Sequence, residues 1–224
     1  MGTMSRIEIA ASLMCADYLN LEAQIQVLEA GGIDYLHIDI MDGHYVPNFT
    51  LGPDFCRRLA ERTNIPLDIH LMIENPDAYI PIFAVFGNPA LYIHPETSCH
   101  PLRSLQLIHK CGARPGIALD PAMSVETVRP LLPYAEVVCV MMVNPGFAGQ
   151  ELIPTMIDKI VYLSRLITEE GREIKIEVDG NVSWQNIPRL VEAGAQILVA
   201  GSSSIFEKGS DLKTNIHRLY ELVG

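Results

Sequence analysis

Positive charge is scarce in this chain. Its 224 residues carry 16 lysines and arginines against 27 aspartates and glutamates, a formal net charge of −11. No run of basic residues is present to track a phosphate backbone, which argues against nucleic acid as a partner. An acidic chain that grips an anion must do so locally, with backbone amides rather than with its overall field. The five cysteines (Cys15, Cys56, Cys99, Cys111, Cys139) are odd in number and show no Cys-x-x-Cys spacing. A disulfide framework and a thiolate zinc site are therefore not expected, and most of the cysteines read as small core residues. No apolar run approaches the ~18 residues of a membrane span, and no signal peptide is seen. The expectation is a soluble, cytoplasmic protein with no membrane partner. Linkers and low-complexity segments are missing as well. With Met1-Gly2-Thr3-Met4 set aside, residues 5–224 read as one domain.

Hydrophobic residues are plentiful, at 49% of the chain. Their patterning predicts strands over 7–12, 35–40, 66–72, 90–94, 114–119, 137–143, 174–179 and 197–200. Helical segments are expected between them. They fall over 19–30 with Asp17 as cap, over 53–62, in a segment opened by Asn75-Pro76-Asp77, and then over 101–110, 125–132, 153–168, 184–193 and 211–223. Strict alternation of strand and helix implies a parallel sheet with right-handed crossovers. Eight such units predict a (β/α)8 TIM barrel, with chemistry at the C-terminal ends of the strands. An open doubly wound sheet is the alternative. Polar residues ending many different strands favour the barrel mouth.

The stretch from Tyr35 to Asn48 is central. Residues two apart in a strand share a face, so His37 and Asp39 point one way while Leu36, Ile38 and Ile40 point the other. An imidazole and a carboxylate on a buried face are costly unless something pairs with them. His70 and Asp179 end other predicted strands. A lone buried histidine is ordinarily a hydrogen-bonded core residue, but His37, Asp39, His70 and Asp179 together suit one divalent transition metal. Zinc comes first, with cobalt, manganese or iron as alternatives. His94 and Glu96 also close a strand, and the sequence gives them no role. Glycine-rich loops follow three strands: Asn144-Pro145-Gly146-Phe147-Ala148-Gly149, Asp179-Gly180-Asn181 and Ala200-Gly201-Ser202. Their amides suit a phosphate, and phosphate sites of barrels are often built after strands seven and eight. Met14, Met41, Met72, Met141 and Met142 fall beside the same strand ends, as core filler or as walls that keep water out.

These residues resemble the ribulose-phosphate 3-epimerase family. The carriers are Ser12-Leu13-Met14, the run from His37 to Asn48, Asp68-Ile69-His70-Leu71-Met72, Asn144 to Gln150, Glu177-Val178-Asp179-Gly180 and Gly201-Ser202. They span nearly the whole chain. Cys15, Pro95, Ala148 and Asn181 are more similar to the branch of the family that acts on D-allulose 6-phosphate than to the pentose-phosphate enzymes. The resemblance implies a metal-dependent ketose-phosphate 3-epimerase and a homo-oligomer, with no redox cofactor. It implies His37, Asp39, His70 and Asp179 as metal ligands, with Asp39 and Asp179 also as the acid–base pair. Substrate would be held by Ser12, His70, Gly146, Phe147, Ala148, Gly149, Gly180, Asn181, Gly201 and Ser202. The substrate expectation is D-allulose 6-phosphate giving D-fructose 6-phosphate, with D-ribulose 5-phosphate giving D-xylulose 5-phosphate as the alternative. A non-catalytic sugar-phosphate binding barrel and a metal-free isomerase or lyase are the competing classes. The Asp39 and Asp179 pair argues against the first, and the two-His, two-Asp set against the second.

Overall fold

The computed structural model describes residues 6–224, so residues 1–5, including the expected domain start, lie outside the described residues. Eight strands are present: β1 Glu8–Ser12, β2 Tyr35–Met41, β3 Leu67–Met72, β4 Ala90–Ile93, β5 Arg114–Leu119, β6 Val137–Met141, β7 Lys175–Asp179 and β8 Ile197–Ala200. Each pairs in parallel with the next, and β8 closes on β1. The sheet is therefore the closed (β/α)8 TIM barrel and not the open alternative. Eight helices alternate with the strands: α1 Leu21–Ala30, α2 Pro53–Arg62, α3 Ile80–Phe83, α4 Pro101–Lys110, α5 Val125–Val128, α6 Thr155–Glu169, α7 Ile187–Ala193 and α8 Leu212–Val223.

Closure splits the apolar residues into two shells, because alternate side chains leave opposite faces of each strand. Ile9, Leu36, Ile38, Ile69 and Leu198 face outward and pack under the helices. Ala10, Tyr92, Ala118, Cys139 and Val199 face inward and fill the barrel. Gly116 allows the large Tyr92 ring to cross the interior. A Cβ at Gly116 would stand 2.4 Å from Tyr92 Cδ1, closer than any real packing contact.

Prolines accompany the largest differences from the predicted helices. The segment after β5 is helical only over Val125–Val128, then tightens to a 3-10 turn over Arg129–Tyr134, which contains Pro130 and Pro133. Each proline removes a helical N–H and crowds the preceding turn. Pro188 likewise sets the start of α7 at Ile187, with the expected first turn at Trp184 lying outside it. Asp17 does not cap α1: Asn20 holds the N-cap position. The Asp17 carboxylate instead accepts from the Leu19 N–H and the Asn20 amide in a turn of its own. Among the described residues, no helix is long and apolar enough to cross a membrane.

Candidate active site and metal centre

Strand register brings the polar side chains together. In the β2–β3 pairing His37 stands beside Asp68 and Asp39 beside His70, so one inward face alternates imidazole and carboxylate in both directions. Asp179, at the end of β7, completes the group from across the barrel. One donor atom from each of His37, Asp39, His70 and Asp179 falls within 4.8 Å of the others. His37 Nε2 is 3.3 Å from Asp39 Oδ1 and 3.8 Å from Asp179 Oδ2. His70 Nδ1 is 3.4 Å from the same Asp39 oxygen and 3.8 Å from the same Asp179 oxygen. Both imidazoles are fully buried.

This donor set fits a divalent cation. The buried side-chain atoms that lack a hydrogen-bond partner include His37 Nε2 and His70 Nδ1, the two nitrogens that face the carboxylates. Buried polar atoms are nearly always satisfied, so two open nitrogens aimed at two carboxylates mark a place for a shared partner. Two neutral imidazole nitrogens and two carboxylate oxygens are the ligand types of zinc and its first-row neighbours.

The far nitrogens of the two histidines are held differently. His37 Nδ1 is 2.6 Å from Asp68 Oδ2. Beneath it Tyr92 donates to Glu177 Oε2 at 2.9 Å, and Glu177 Oε1 lies 3.7 Å from His37 Nδ1. His70 Nε2 instead lies 2.9 Å from His94 Nε2. Asp68 and Glu177 have no assignment in the sequence reading, although period-two counting from His70 and Asp179 puts both on the inward face.

Burial pushes each of these groups toward its neutral form, and neighbouring charge decides the result. Burial pushes the His37 imidazole down, but Asp39 and Asp68 outweigh it and hold the group well above its ordinary value. Burial raises Asp39, yet His37 and His70 prevail, and its carboxyl lies well below the usual range. For Asp179 burial raises the pKa and the Asp39 charge adds to it, outweighing the two imidazoles. Two carboxylates at one site driven in opposite directions form a pattern found in acid–base pairs. A bound cation adds its own charge to this balance.

Above the cluster lies a cavity of about 220 Å³, room for one small substrate rather than a dinucleotide. Every residue expected to touch substrate lines it except His70: Ser12, Gly146, Phe147, Ala148, Gly149, Gly180, Asn181, Gly201 and Ser202. Asp39 and Asp179 form part of the wall, and His37 and His70 sit beneath. Met14, Met41, Met72 and Met141 line the cavity, whereas Met142 belongs to the outer shell under the helices. Cys15 lines the cavity too, whereas Cys56 and Cys139 are buried in the core.

The loop after β6 is fastened on two sides. Gln150 donates to the carbonyls of Asn144 and Phe147, and Asn48 donates to the carbonyl of Gly146 at 2.9 Å. The loop after β7 turns through Gly180 at φ +100° and Asn181 at φ +48°. Asparagine is among the few L-residues that enter the left-handed region readily. Its side chain is tied down, donating to the Gln150 carbonyl at 2.6 Å and accepting from the Asn186 amide at 2.8 Å.

Comparison with known proteins decides the family. A profile described as "Ribulose-phosphate 3 epimerase family" matches residues 8–206. The chain belongs to the ribulose-phosphate 3-epimerase family. It is an isomerase acting on carbohydrate phosphates. The ribulose-phosphate 3-epimerase of Bacillus subtilis is 43% identical over 198 residues, covering 88% of this chain and 91% of that one. Ribulose-phosphate 3-epimerase 2 of Cupriavidus necator is 38% identical over 226 residues, covering 98% and 94%. Among solved structures, a mutant tryptophan synthase alpha-subunit from Pyrococcus furiosus superposes with a TM-score of 0.68 at 15% identity, covering 100% of this chain and 99% of that one. That likeness concerns the fold alone.

Proposed function

We propose that the protein interconverts D-ribulose 5-phosphate and D-xylulose 5-phosphate by two-base proton transfer between Asp39 and Asp179. One observation carries the reading. Two carboxylates from strands on different sides of the barrel converge on one pair of unbonded imidazole nitrogens, at the floor of a cavity ringed by glycine loops. Epimerisation at carbon 3 of a 2-ketose removes a proton from one face and returns one to the other. Two positioned carboxyl groups do this, one accepting while the other donates.

The two imidazoles hold Asp39 down while burial and the Asp39 charge push Asp179 up, so the pair is unequal before the cation adds its own charge, and either carboxyl would accept from one face while the other donates to the opposite face. His37 and His70, with the two aspartates, would hold the cation, for which zinc suits the donors and cobalt, manganese and iron are the alternatives. When bound, the cation supplies Lewis-acid stabilisation of the charge that develops on the oxygens of carbons 2 and 3. Ser12, whose hydroxyl is 3.5 Å from Asp39 Oδ2, would hydrogen-bond the sugar. The loops at Gly146–Gly149, Gly180–Asn181 and Gly201–Ser202 would hold the phosphate, and that grip turns binding energy into orientation of carbon 3. The four methionines would keep water from the reacting carbon. Five free cysteines fit a reducing cytoplasm.

The pentulose is preferred over D-allulose 6-phosphate on two grounds. The relatives named above are all ribulose-phosphate 3-epimerases, at 38% and 43% identity. The departures that favoured the hexulose also lose weight: Asn181 keeps the left-handed turn a glycine would make, and its side chain is spent on neighbouring loops. The test is proton NMR in D2O with each ketose phosphate supplied separately to metal-loaded protein. Faster deuterium entry at carbon 3 of ribulose 5-phosphate is expected. Faster entry with allulose 6-phosphate reverses the substrate assignment, and no entry with either removes the epimerase reading. Chelator treatment is expected to stop exchange; unchanged exchange would sink the role of the cation.

A further inference from the structure

His94 and Glu96 close β4 with side chains aimed at the same region as the metal centre, and nothing above uses them. His94 is fully buried, and its ring meets that of His70 edge to edge, 5.1 Å between centroids with 26° between planes. Its Nε2 is 2.9 Å from His70 Nε2, and its Nδ1 is 3.0 Å from the Tyr45 hydroxyl. Tyr45 in turn donates to Glu96 Oε1 at 2.8 Å, and that same oxygen is 3.3 Å from His94 Nδ1. Tyr45 is held in place by Asp42, whose carboxylate accepts from the backbone N–H groups of His44, Tyr45 and Glu74. Four side chains from three strand ends thus form one chain of contacts from the metal centre to the rim.

Hydrogen-bond polarity along this chain admits one arrangement once the inner end is fixed. An imidazole that offers Nδ1 to a cation carries its proton on Nε2. His70 Nε2–H must then donate, so His94 Nε2 accepts and the His94 proton sits on Nδ1. That proton goes to the Tyr45 oxygen or to Glu96, and the Tyr45 hydroxyl donates to Glu96. An ionised carboxylate only accepts, so it is a proper terminus. The opposite tautomer of His70 would set two Nε2 lone pairs against each other at 2.9 Å unless His94 also changed its proton, which would then leave Nδ1 without one to give.

We propose that His94, Tyr45 and Glu96 are positioning residues that lock His70 in its Nε2–H form and so raise its affinity for the cation. The inference rests on the reading of His70 as a metal ligand. It assigns to this half of the site an outer support built from a second histidine and a tyrosine, where His37 has a carboxylate. Groups that orient a ligating histidine typically change metal affinity by about 10–100-fold when removed.

Zinc affinity of the full-length protein, measured by competition with a chromogenic chelator, tests this without reference to activity. Tyr45→Phe is expected to weaken zinc binding about tenfold, and His94→Phe about 100-fold, with the melting temperature of the metal-free Tyr45→Phe protein close to wild type. Glu96→Ala should weaken binding, and Glu96→Gln, which keeps an accepting oxygen, should restore most of it. In a His70→Ala background Tyr45→Phe should have no further effect, because the ligand it acts through is gone. If His70→Ala weakens zinc binding while Tyr45→Phe and Glu96→Ala leave it at the wild-type value, the relay is overturned and the ligand reading stands. If His70→Ala itself leaves zinc affinity unchanged, the ligand reading fails first. Equal losses from Tyr45→Phe with and without His70 would make Tyr45 a structural residue and also overturn the proposal.

Discussion

The barrel interior has two polar ends, and they obey opposite rules. At the N-terminal end Lys175 donates to both carboxylate oxygens of Glu8 at 2.7 Å, and the Tyr35 hydroxyl donates to Glu8 at 3.3 Å. The Arg114 guanidinium lies 5.3 Å from the centre of the Tyr35 ring. Charges of both signs are present: Lys175 and Glu8 pair with each other, and the Arg114 guanidinium rests against the Tyr35 ring. At the C-terminal end Asp39 and Asp179 face His37 and His70, and among the described residues no lysine or arginine forms an ion pair with either carboxylate. Two nitrogens there have no hydrogen bond at all. A polar cluster that closes its own bonds is scaffold. One that leaves bonds open at full burial is made for something that comes from outside. The layer between them, with Asp68, Tyr92 and Glu177, belongs to the upper end by this criterion, since Glu177 Oε1 is also without a partner.

The strongest way to break this contrast is to alter a carboxylate at the open end. Asp179→Asn keeps the volume but removes the proton acceptor. A loss of about 10³-fold in turnover is expected, within the usual range for a general acid or base. The fold should be retained, because no lysine or arginine loses its counter-ion. Exchange at carbon 3 in D2O and a thermal melt read the two effects separately. Near-wild-type exchange would end the two-base mechanism.

A smaller effect is expected from the rim. Gly180 stands at φ +100°, and a Cβ there would lie 2.5 Å from Val143 Cγ2. Gly180→Ala therefore combines a disfavoured backbone with a clash between the loops after β6 and β7. Both loops are proposed to hold the phosphate. KM for the sugar phosphate should rise about tenfold, equivalent to about 1.4 kcal/mol of lost grip. An unchanged KM with normal turnover would mean that these loops do not hold the phosphate.

Much of this is legible in the sequence alone. Alternation in β2 put His37 and Asp39 on one face, and strand ends supplied His70 and Asp179, because a period of two is written directly in the sequence. The glycine loops were legible for the same local reason. Asp68 and Glu177 were equally readable by counting back two residues, but an acidic residue inside a strand points to nothing until its cross-barrel partner is known. The contact of Tyr45 with His94 was out of reach. The two are 49 positions apart, and Tyr45 sits in a loop where no periodicity fixes direction. The starts of α6 and α7 differ from the expected ones because Pro154 and Pro188 occupy their N-terminal ends, where a proline is tolerated, a backbone effect that hydrophobic spacing does not report.

The closed end offers the gentlest and sharpest test of the comparison. Lys175→Met leaves Glu8 with Tyr35 as its remaining partner in the cluster. The Lys175 and Glu8 side chains are 42% and 24% exposed, so water compensates for much of the lost pairing. The expected cost is about 1 kcal/mol, the upper range for a solvent-screened ion pair. For a domain of this size that lowers the melting temperature by about 2–4 °C. Turnover and KM should stay at wild-type values, since the nearest inward residue of the open end on β7 is two positions on, at Glu177, and the strand between is anchored on both sides by the ladder. A variant that kept its melting temperature but lost turnover would show that the two ends act as one system. A drop in stability alone would fix the boundary between scaffold and site at the layer of Asp68, Tyr92 and Glu177.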